Sequence, residues 1–358
     1  MYRNTKNVPY YVFGRGSLAQ LGDLLKPRRE AVDGPVVYFV DHFFRDHELI
    51  GRLPMEKGDQ LHFVDSSSEP EVTRIDAFKE AVSAADGRTP CCVVGIGGGN
   101  ALDTAKAVAN LLTNPGKAED YQGWELVKNP AVYKIGIPTL SGTGSECSRT
   151  CVLTNIPKNL KLGMNSDYTV YDQLLLDPDL LATVPRDQYF YTGIDTFMHC
   201  VESLQGSYRN AIIDAFSVRA VQLCEEIFLS DDMMSEDNRE KMMIASYIGG
   251  MAAGNVGVIH PFSAGLGVVL HVAHGLGNCL ALNVLGDIYP KEYKQFRTMI
   301  ERQGVNLPTG ICKDLTEEQY EGLYRGCIVH EKPLTNALGP DFKQILTREN
   351  LIERYKSI

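Results

Sequence analysis

The chain has 358 residues, enough for one large core or two ordinary ones, and its 44% hydrophobic and 22% charged content is that of a globular protein. Its 45 acidic and 35 basic side chains leave a net charge of −10, with no cluster of Lys or Arg to offset it. That argues against nucleic acid and anionic membrane as partners, but not against an anionic small molecule, which needs only one or two local cations.

The opening stretch MYRNTKNVPYYVFGRG has no apolar signal core, and no run of 18 apolar residues occurs. The expectation is a soluble, cytoplasmic protein. Nine cysteines are scattered without a CxxC pair, which excludes zinc-ribbon and thioredoxin-type motifs and predicts reduced thiols.

In chain order, PVVYFVD (35–41), CCVVGIGGG (91–99) and VYKIGIPT (132–139) read as short buried strands. Between them, VTRIDAFKEAVSAA (72–85) and ALDTAKAVANLLT (101–113) have helical spacing, so the pattern predicts a parallel, doubly wound sheet. Beyond about residue 185 the segments FMHCVESL, AIIDAFSVRAVQLCEEIFL, EKMMIASYIGGMAAGNVGVIH and LGVVLHVAHGLGNCLALNVL, with the tail from Glu317, all read as helices. The division is an α/β domain over 1–184 and an all-α domain over 185–358, with a cleft expected between them.

Three features gather where the strands end. Gly97, Gly98 and Gly99 follow a strand and open a helix whose Leu102, Ala105, Ala109 and Leu112 share a face. Such a turn lets backbone approach a ligand, and the helix start suits a pyrophosphate; the spacing is not GxGxxG, and a plain tight turn reads the same way. Asp41 ends an earlier strand, where a carboxylate can bind a ribose 2′-hydroxyl and favour NAD over NADP, or can simply cap the next helix. The loop GIPTLSGTGSE (136–146) offers Thr139, Ser141, Thr143 and Ser145 as phosphate or amide partners, or as an exposed polar turn.

Four of the eight histidines fall between residues 199 and 274. Asp195 and His199 stand four apart in GIDTFMHC, so both side chains leave one helix face. His260 ends the next long helical pattern, and His271 and His274 are three apart in HVAHGLGN. A lone carboxylate in such apolar company is costly, whereas a divalent cation gives Asp195, His199, His260 and His274 a common purpose. One carboxylate and three imidazoles without thiolate suit Fe(II) or Zn(II), less often Mn(II). An Asp–His pair at helical spacing is also read as an ordinary hydrogen bond.

Taken together, FGRGS, GGGNALDTAKA, PTLSGTGSE, GIDTFMHCVES and HGLGN resemble the iron-containing (group III) alcohol dehydrogenase family over essentially the whole chain. The resemblance implies a dinucleotide-binding α/β domain, a helical metal-binding domain, and NAD(P)-linked exchange between alcohols and aldehydes by a homodimer, with NAD the cofactor expected here. It carries Asp195, His199, His260 and His274 over as metal ligands. Asp41, Gly98, Gly99, Asp103, Thr139, Thr143 and Lys161 become cofactor contacts, with Leu180 near the adenosine. YQGWELVKNPAVYKIGIPT, LGMNSDYTVYDQLLLD and QYFYTGIDTFMHCVESL are further similar to a branch that oxidises the C8 hydroxyl of 3-deoxy-D-manno-octulosonate, a step in lipopolysaccharide synthesis followed by a partner aminotransferase. That substrate carries a distant carboxylate, for which Arg149 is the candidate cation. A small-alcohol oxidoreductase, a dehydroquinate-synthase-like lyase and a non-catalytic binding protein are the alternatives.

Two departures from the family pattern stand out. Where most members carry a histidine four residues past the third ligand, this chain has Ala264. His271 is the candidate replacement proton relay, the other reading being that it packs at a helix end. The chain also ends at Ile358, about 84 residues beyond His274, which leads to the expectation of a trimmed helical wall and a wider cleft suited to a sugar or polyol.

Overall fold

The computed structural model describes residues 6–158 and 160–358, which form two compact units. The first takes residues up to Leu140 and Ser145–Thr183; the second takes Ser141–Gly144 and Val184–Ile358. The short Ser141–Gly144 segment, assigned to the α/β half from sequence, is thus bonded into the helical unit. Gly142 N donates to Ser246 Oγ at 2.8 Å, and Gly142 O accepts from Thr196 Oγ1 at 2.9 Å. Gly142 has φ 150°, and a Cβ there would lie 1.6 Å from Thr192 O, so no other residue fits.

In the first unit the strands are β1 (Tyr10–Phe13), β2 (Val36–Asp41), β3 (Gln60–Val64), β4 (Cys92–Gly97), β5 (Gly123–Trp124), β6 (Lys134–Pro138), β7 (Thr150–Asn155), β8 (Leu160–Asn165) and β9 (Gln173–Leu176). Six of them make a sheet in the order β1-β9-β6-β4-β2-β3, every pair parallel. The helices are α1 (Leu21–Ala31), α2 (Val72–Asp86) and α3 (Gly99–Leu111). Central strands β4 and β6 are buried throughout, and β2 up to Val40, because helices cover both faces. Side chains of β2 alternate between two cores. Val36, Tyr38 and Val40 pack with Leu21 and Leu25, while Val37 and Phe39 pack with Ile75, Val82, Ala105 and Val108. Each large side chain so buried contributes about 1.5–3 kcal/mol.

The helix α3 differs from its sequence reading. Every residue from Ala101 to Leu111 is buried, not one face alone. The β7–β8 hairpin, absent from the sequence pattern, and the loop leading into it engage the polar side: Asp103 Oδ2 accepts from Val152 N at 2.8 Å, and buried Lys106 Nζ donates to Ser145 O at 2.8 Å, Ser148 O at 3.1 Å and Thr150 O.

The second unit holds α4 (Arg186–Gln205), α5 (Ala211–Phe228), α6 (Glu236–Gly249), α7 (Ile259–Leu270), α8 (His274–Val284), α9 (Pro290–Gln303), α10 (Glu317–Ile328), α11 (Glu331–Leu338), α12 (Phe342–Ile345) and α13 (Arg348–Lys356). Among the described residues it has no strand, and no single helix is long and apolar enough to cross a membrane. All nine cysteines are unpaired and buried.

Asp59 ties α1 to the start of β2. Its carboxylate accepts from Arg29 Nη1 and Nη2 at 2.9 and 2.6 Å, from Val36 N at 2.9 Å and from Glu56 N at 2.8 Å. Burial pushes its pKa upward, but the guanidinium and the backbone donors hold it below the ordinary 3.8. Asp59→Ala is expected to lose about 2–4 kcal/mol at neutral pH. Because the folded carboxyl is the stronger acid, this stabilisation is full above the unfolded value and lost as pH falls through the folded one. Denaturation of wild type and variant across pH checks this: their difference must shrink in acid.

Candidate metal centre and nucleotide-binding turn

Helix α4 carries Asp195 and His199 one turn apart, as their spacing requires. His260 stands in the first turn of α7 and His274 opens α8. The sequence pattern places His260 at the end of a helix. Instead the glycine-rich Gly250–Asn255 segment leaves the α-helix for a 3₁₀ path, and Pro261, tolerated only in a first turn, marks a new start. At the start of α8, Gly275 permits close approach to α4: a Cβ there would lie 2.5 Å from Tyr191 O.

Donor atoms of the four residues all lie within 4.8 Å of one another. Asp195 Oδ1 is 3.2 Å from His260 Nε2 and 3.9 Å from His199 Nε2, and Oδ2 is 3.5 Å from His274 Nε2. The rings of His199 and His260 stack with centroids 4.4 Å apart. Exposure rises across the set, from 0% for the Asp195 side chain through 5% and 11% to 28% for His274, so the cluster is closed on the α4 side and open at α8. An open side is what distinguishes a reactive metal position from a purely structural one.

The electrostatics ask for a cation. Burial raises the Asp195 pKa, yet the surrounding imidazoles hold it well below the carboxylate range, so it is ionised. Burial pushes His199 down to about 3 and leaves it neutral. His260 is also lowered by burial, but the Glu202 carboxylate, with Asp195, carries it up to about 9. Among the described residues Asp195 Oδ2 accepts no hydrogen bond although it is fully buried. An orphaned carboxylate oxygen facing imidazole nitrogens fits a divalent ion, which needs about 2.0–2.2 Å bonds and only small side-chain movement to reach all four.

Two buried neighbours escaped the sequence reading. Glu202, 1% exposed, lies three residues beyond His199 on the same stripe of α4, with Oε2 2.5 Å from His260 Nδ1. Asn278, four residues after His274, donates from Nδ2 to Asp195 Oδ1 at 2.7 Å. Extending the helical spacing of the ligands by one more turn was the signal that would have found both.

The remaining predicted residues divide. In the first unit Asp41, Gly97–Gly99 and Thr139 follow the carboxyl ends of adjacent parallel strands, with Val40 paired to Ile96 and Gly97 to Pro138. That is where open α/β sheets bind ligands. Thr139 N donates to Gly97 O at 3.0 Å, and Gly98 caps α3, directing the helix start at the turn. Asp41 also serves locally, accepting from Phe43 N at 3.0 Å and Ser66 Oγ at 2.9 Å. Thr143, in contrast, belongs to the segment grouped with the second unit.

Other positions are occupied by internal contacts. Both oxygens of Asp103 are taken, by Ser145 Oγ and Val152 N, and burial raises its pKa. Lys161 pairs with Glu69 at 2.9 Å, and Leu180 is buried in the core beneath Val40 and Ile96. Arg149, the candidate for a substrate carboxylate, is engaged internally: its Nε and Nη2 bind Asp167 at 2.6 Å and Glu125 at 2.5 Å. His271 is exposed in a left-handed conformation, φ 55°, as the C-cap of α7. It therefore stands at a helix end, and Ala264, buried one turn past His260, offers no titratable group.

Residues 9–178 match the family described as iron-containing alcohol dehydrogenase, and residues 189–322 match its C-terminal region. The chain belongs to the iron-containing alcohol dehydrogenase family. Sulfoacetaldehyde reductase of Bilophila wadsworthia is 34% identical over 220 residues, 60% of this chain and 56% of that protein. The NAD-dependent methanol dehydrogenase of Bacillus methanolicus is 29% identical over 282 residues, 75% and 71% of the two. Among solved structures, sulfoacetaldehyde reductase from Bifidobacterium kashiwanohense in complex with NAD+ superposes with TM-score 0.80 at 24% identity, over 99% of this chain and 98% of that one. Alcohol dehydrogenase from Oenococcus oeni gives 0.83 at 21% identity over 99% of each. These superpositions establish the fold.

The glycine turn supplies a direct check. At Gly97, φ is 153° and a Cβ would sit 2.6 Å from Ala101 Cβ and 3.0 Å from Asp41 Cβ; at Gly98 it meets only the flexible Leu140 side chain at 3.3 Å or more. Gly97→Ala is expected to destabilise by about 2–4 kcal/mol and Gly98→Ala by about 1 kcal/mol or less. Thermal melting of the two variants side by side tests that order.

Proposed function

We propose that this family member is a divalent-metal-dependent oxidoreductase that interconverts a primary alcohol and its aldehyde with NAD. The observation carrying the proposal is the convergence of Asp195, His199, His260 and His274 around one point, buried behind and open at His274. A divalent ion held by these four residues would supply Lewis acidity, lowering the pKa of a substrate hydroxyl, and NAD would accept the hydride. The chain's own contribution is to keep three imidazoles and one carboxylate aimed inward, with Asn278 fixing the orientation of Asp195. In the first unit, Gly98 and the start of α3 would receive the pyrophosphate, and Asp41 the ribose hydroxyl, which favours NAD over NADP.

For the substrate, a sugar or polyol is the proposed class, and the motif resemblance puts C8 of 3-deoxy-D-manno-octulosonate first. The engagement of Arg149 removes one argument for that acid and leaves the resemblance to carry it. The Bilophila relative supplies the second reading, a small aldehyde as substrate. Lyase chemistry of the dehydroquinate-synthase type is disfavoured by the aspartate among the four donors.

Purified protein should carry about one divalent ion per chain by elemental analysis, and NADH should form with octulosonate, glycerol or 1,2-propanediol. Chelation should abolish turnover and added Fe(II) or Zn(II) restore it. Asp195→Ala should lower kcat/KM by about 10²–10⁴-fold, the rate equivalent of several kcal/mol. Stoichiometric metal without turnover of any alcohol or aldehyde in either direction would defeat the proposal.

A further inference from the structure

Glu202 touches none of the atoms expected to meet substrate, yet its placement is closely specified. It lies on α4 seven residues after Asp195 and three after His199, so the two α4 donors and this acid form one stripe. Its Oε1 accepts from Ile259 N at 2.6 Å, the first N–H of α7, and from the Tyr289 hydroxyl at 3.3 Å. That hydroxyl in turn accepts from Val258 N at 3.0 Å, so its proton is directed at Glu202. Oε2 faces His260 Nδ1 at 2.5 Å, while His260 Nε2 faces Asp195.

We infer that Glu202 is a positioning residue that selects the tautomer of His260, holding the proton on Nδ1 so that Nε2 presents its lone pair to the metal. The inference rests on the proposed metal reading and adds a requirement to it. With both donors on the Oε1 side fixed by backbone, the carboxylate orientation is determined. Only Oε2 is left for the imidazole, and it can only accept. Glu202 also adds a second buried negative charge beside Asp195, so one dication and three neutral imidazoles make the whole assembly neutral. A carboxylate behind a metal-bound imidazole both orients the ring and raises its basicity.

The sharp consequence concerns glutamine. In Glu202→Gln the amide oxygen must take the place of Oε1 to satisfy Ile259 N–H and Tyr289, which turns the amide NH₂ toward His260 Nδ1. Nδ1 then has to accept, and the proton moves to Nε2, where it blocks the metal. The test uses full-length protein, stripped by chelator and titrated with Zn(II) against a chromogenic competitor, for wild type, Glu202→Gln and Glu202→Ala. Glu202→Gln is expected to weaken Zn(II) binding by at least about 10–100-fold, and by more than Glu202→Ala, which leaves the ring free to choose. Metal-free melting temperatures, read alongside, separate this from a packing defect. Equal Zn(II) affinity in Glu202→Gln and wild type overturns the inference alone; so does a loss that follows metal-free stability rather than the amide. Wild type that binds no Zn(II) overturns the metal reading and the inference with it. Should the glutamine variant not fold, ¹⁵N NMR of Zn(II)-loaded wild type decides: a protonated Nδ1 on His260 is expected, and a deprotonated one overturns the assignment.

Discussion

A fully buried, ionised Asp195 is the constraint around which the helical unit is arranged. An isolated carboxylate in that position costs several kcal/mol and would ordinarily be eliminated or protonated. Three imidazoles, the Asn278 amide and the starts of two helices surround it. His260 lies in the first turn of α7 and His274 begins α8, so both helix dipoles present their positive ends to the two buried acids. These groups reduce the cost of the charge without satisfying Asp195 Oδ2, and the divalent cation proposed above would complete what they leave undone. The packing of α4, α7 and α8 in this sense builds a pocket that could hold a metal ion.

In the first unit the equivalent constraint is steric. Adjacent parallel strands β2, β4 and β6 end together, and Gly97, itself buried, lets the chain turn into α3 close against Asp41. Behind this turn, Asp103 fastens α3 to β7 through Val152 N, and the buried Lys106 fastens it to the loop that leads into the hairpin. Residues that family resemblance would place at a cofactor thus divide into those at the strand ends, Asp41, Gly98 and Thr139, and those that fasten the structure behind them, Asp103 and Lys161.

Much of the architecture was readable from local pattern because its causes are local. Apolar runs ending in glycine, proline or acid gave β2, β4 and β6 within about a residue or two, and four-residue spacing put Asp195 and His199 on one face. The misses have non-local causes. Edge strand β1 is a short apolar run left mostly exposed, β3 is only partly buried with Gln60 and His62 interrupting its apolar residues, and the β7–β8 hairpin is held by polar side chains of α3. Arg149 reads as a free cation until the fold brings Glu125 and Asp167 to it. Glu202 was passed over because a glutamate on a helix is usually solvated; only the arrival of α7 and Tyr289 gives it partners.

The most direct test of this account is a crystal structure of the metal-loaded protein with anomalous data collected at the absorption edge of the metal. The expected result is one strong peak per chain at about 2.0–2.2 Å from an Asp195 oxygen and from a ring nitrogen of His199, His260 and His274. A loaded crystal with no peak there, and Asp195 instead hydrogen-bonded to protonated imidazoles, would contradict it.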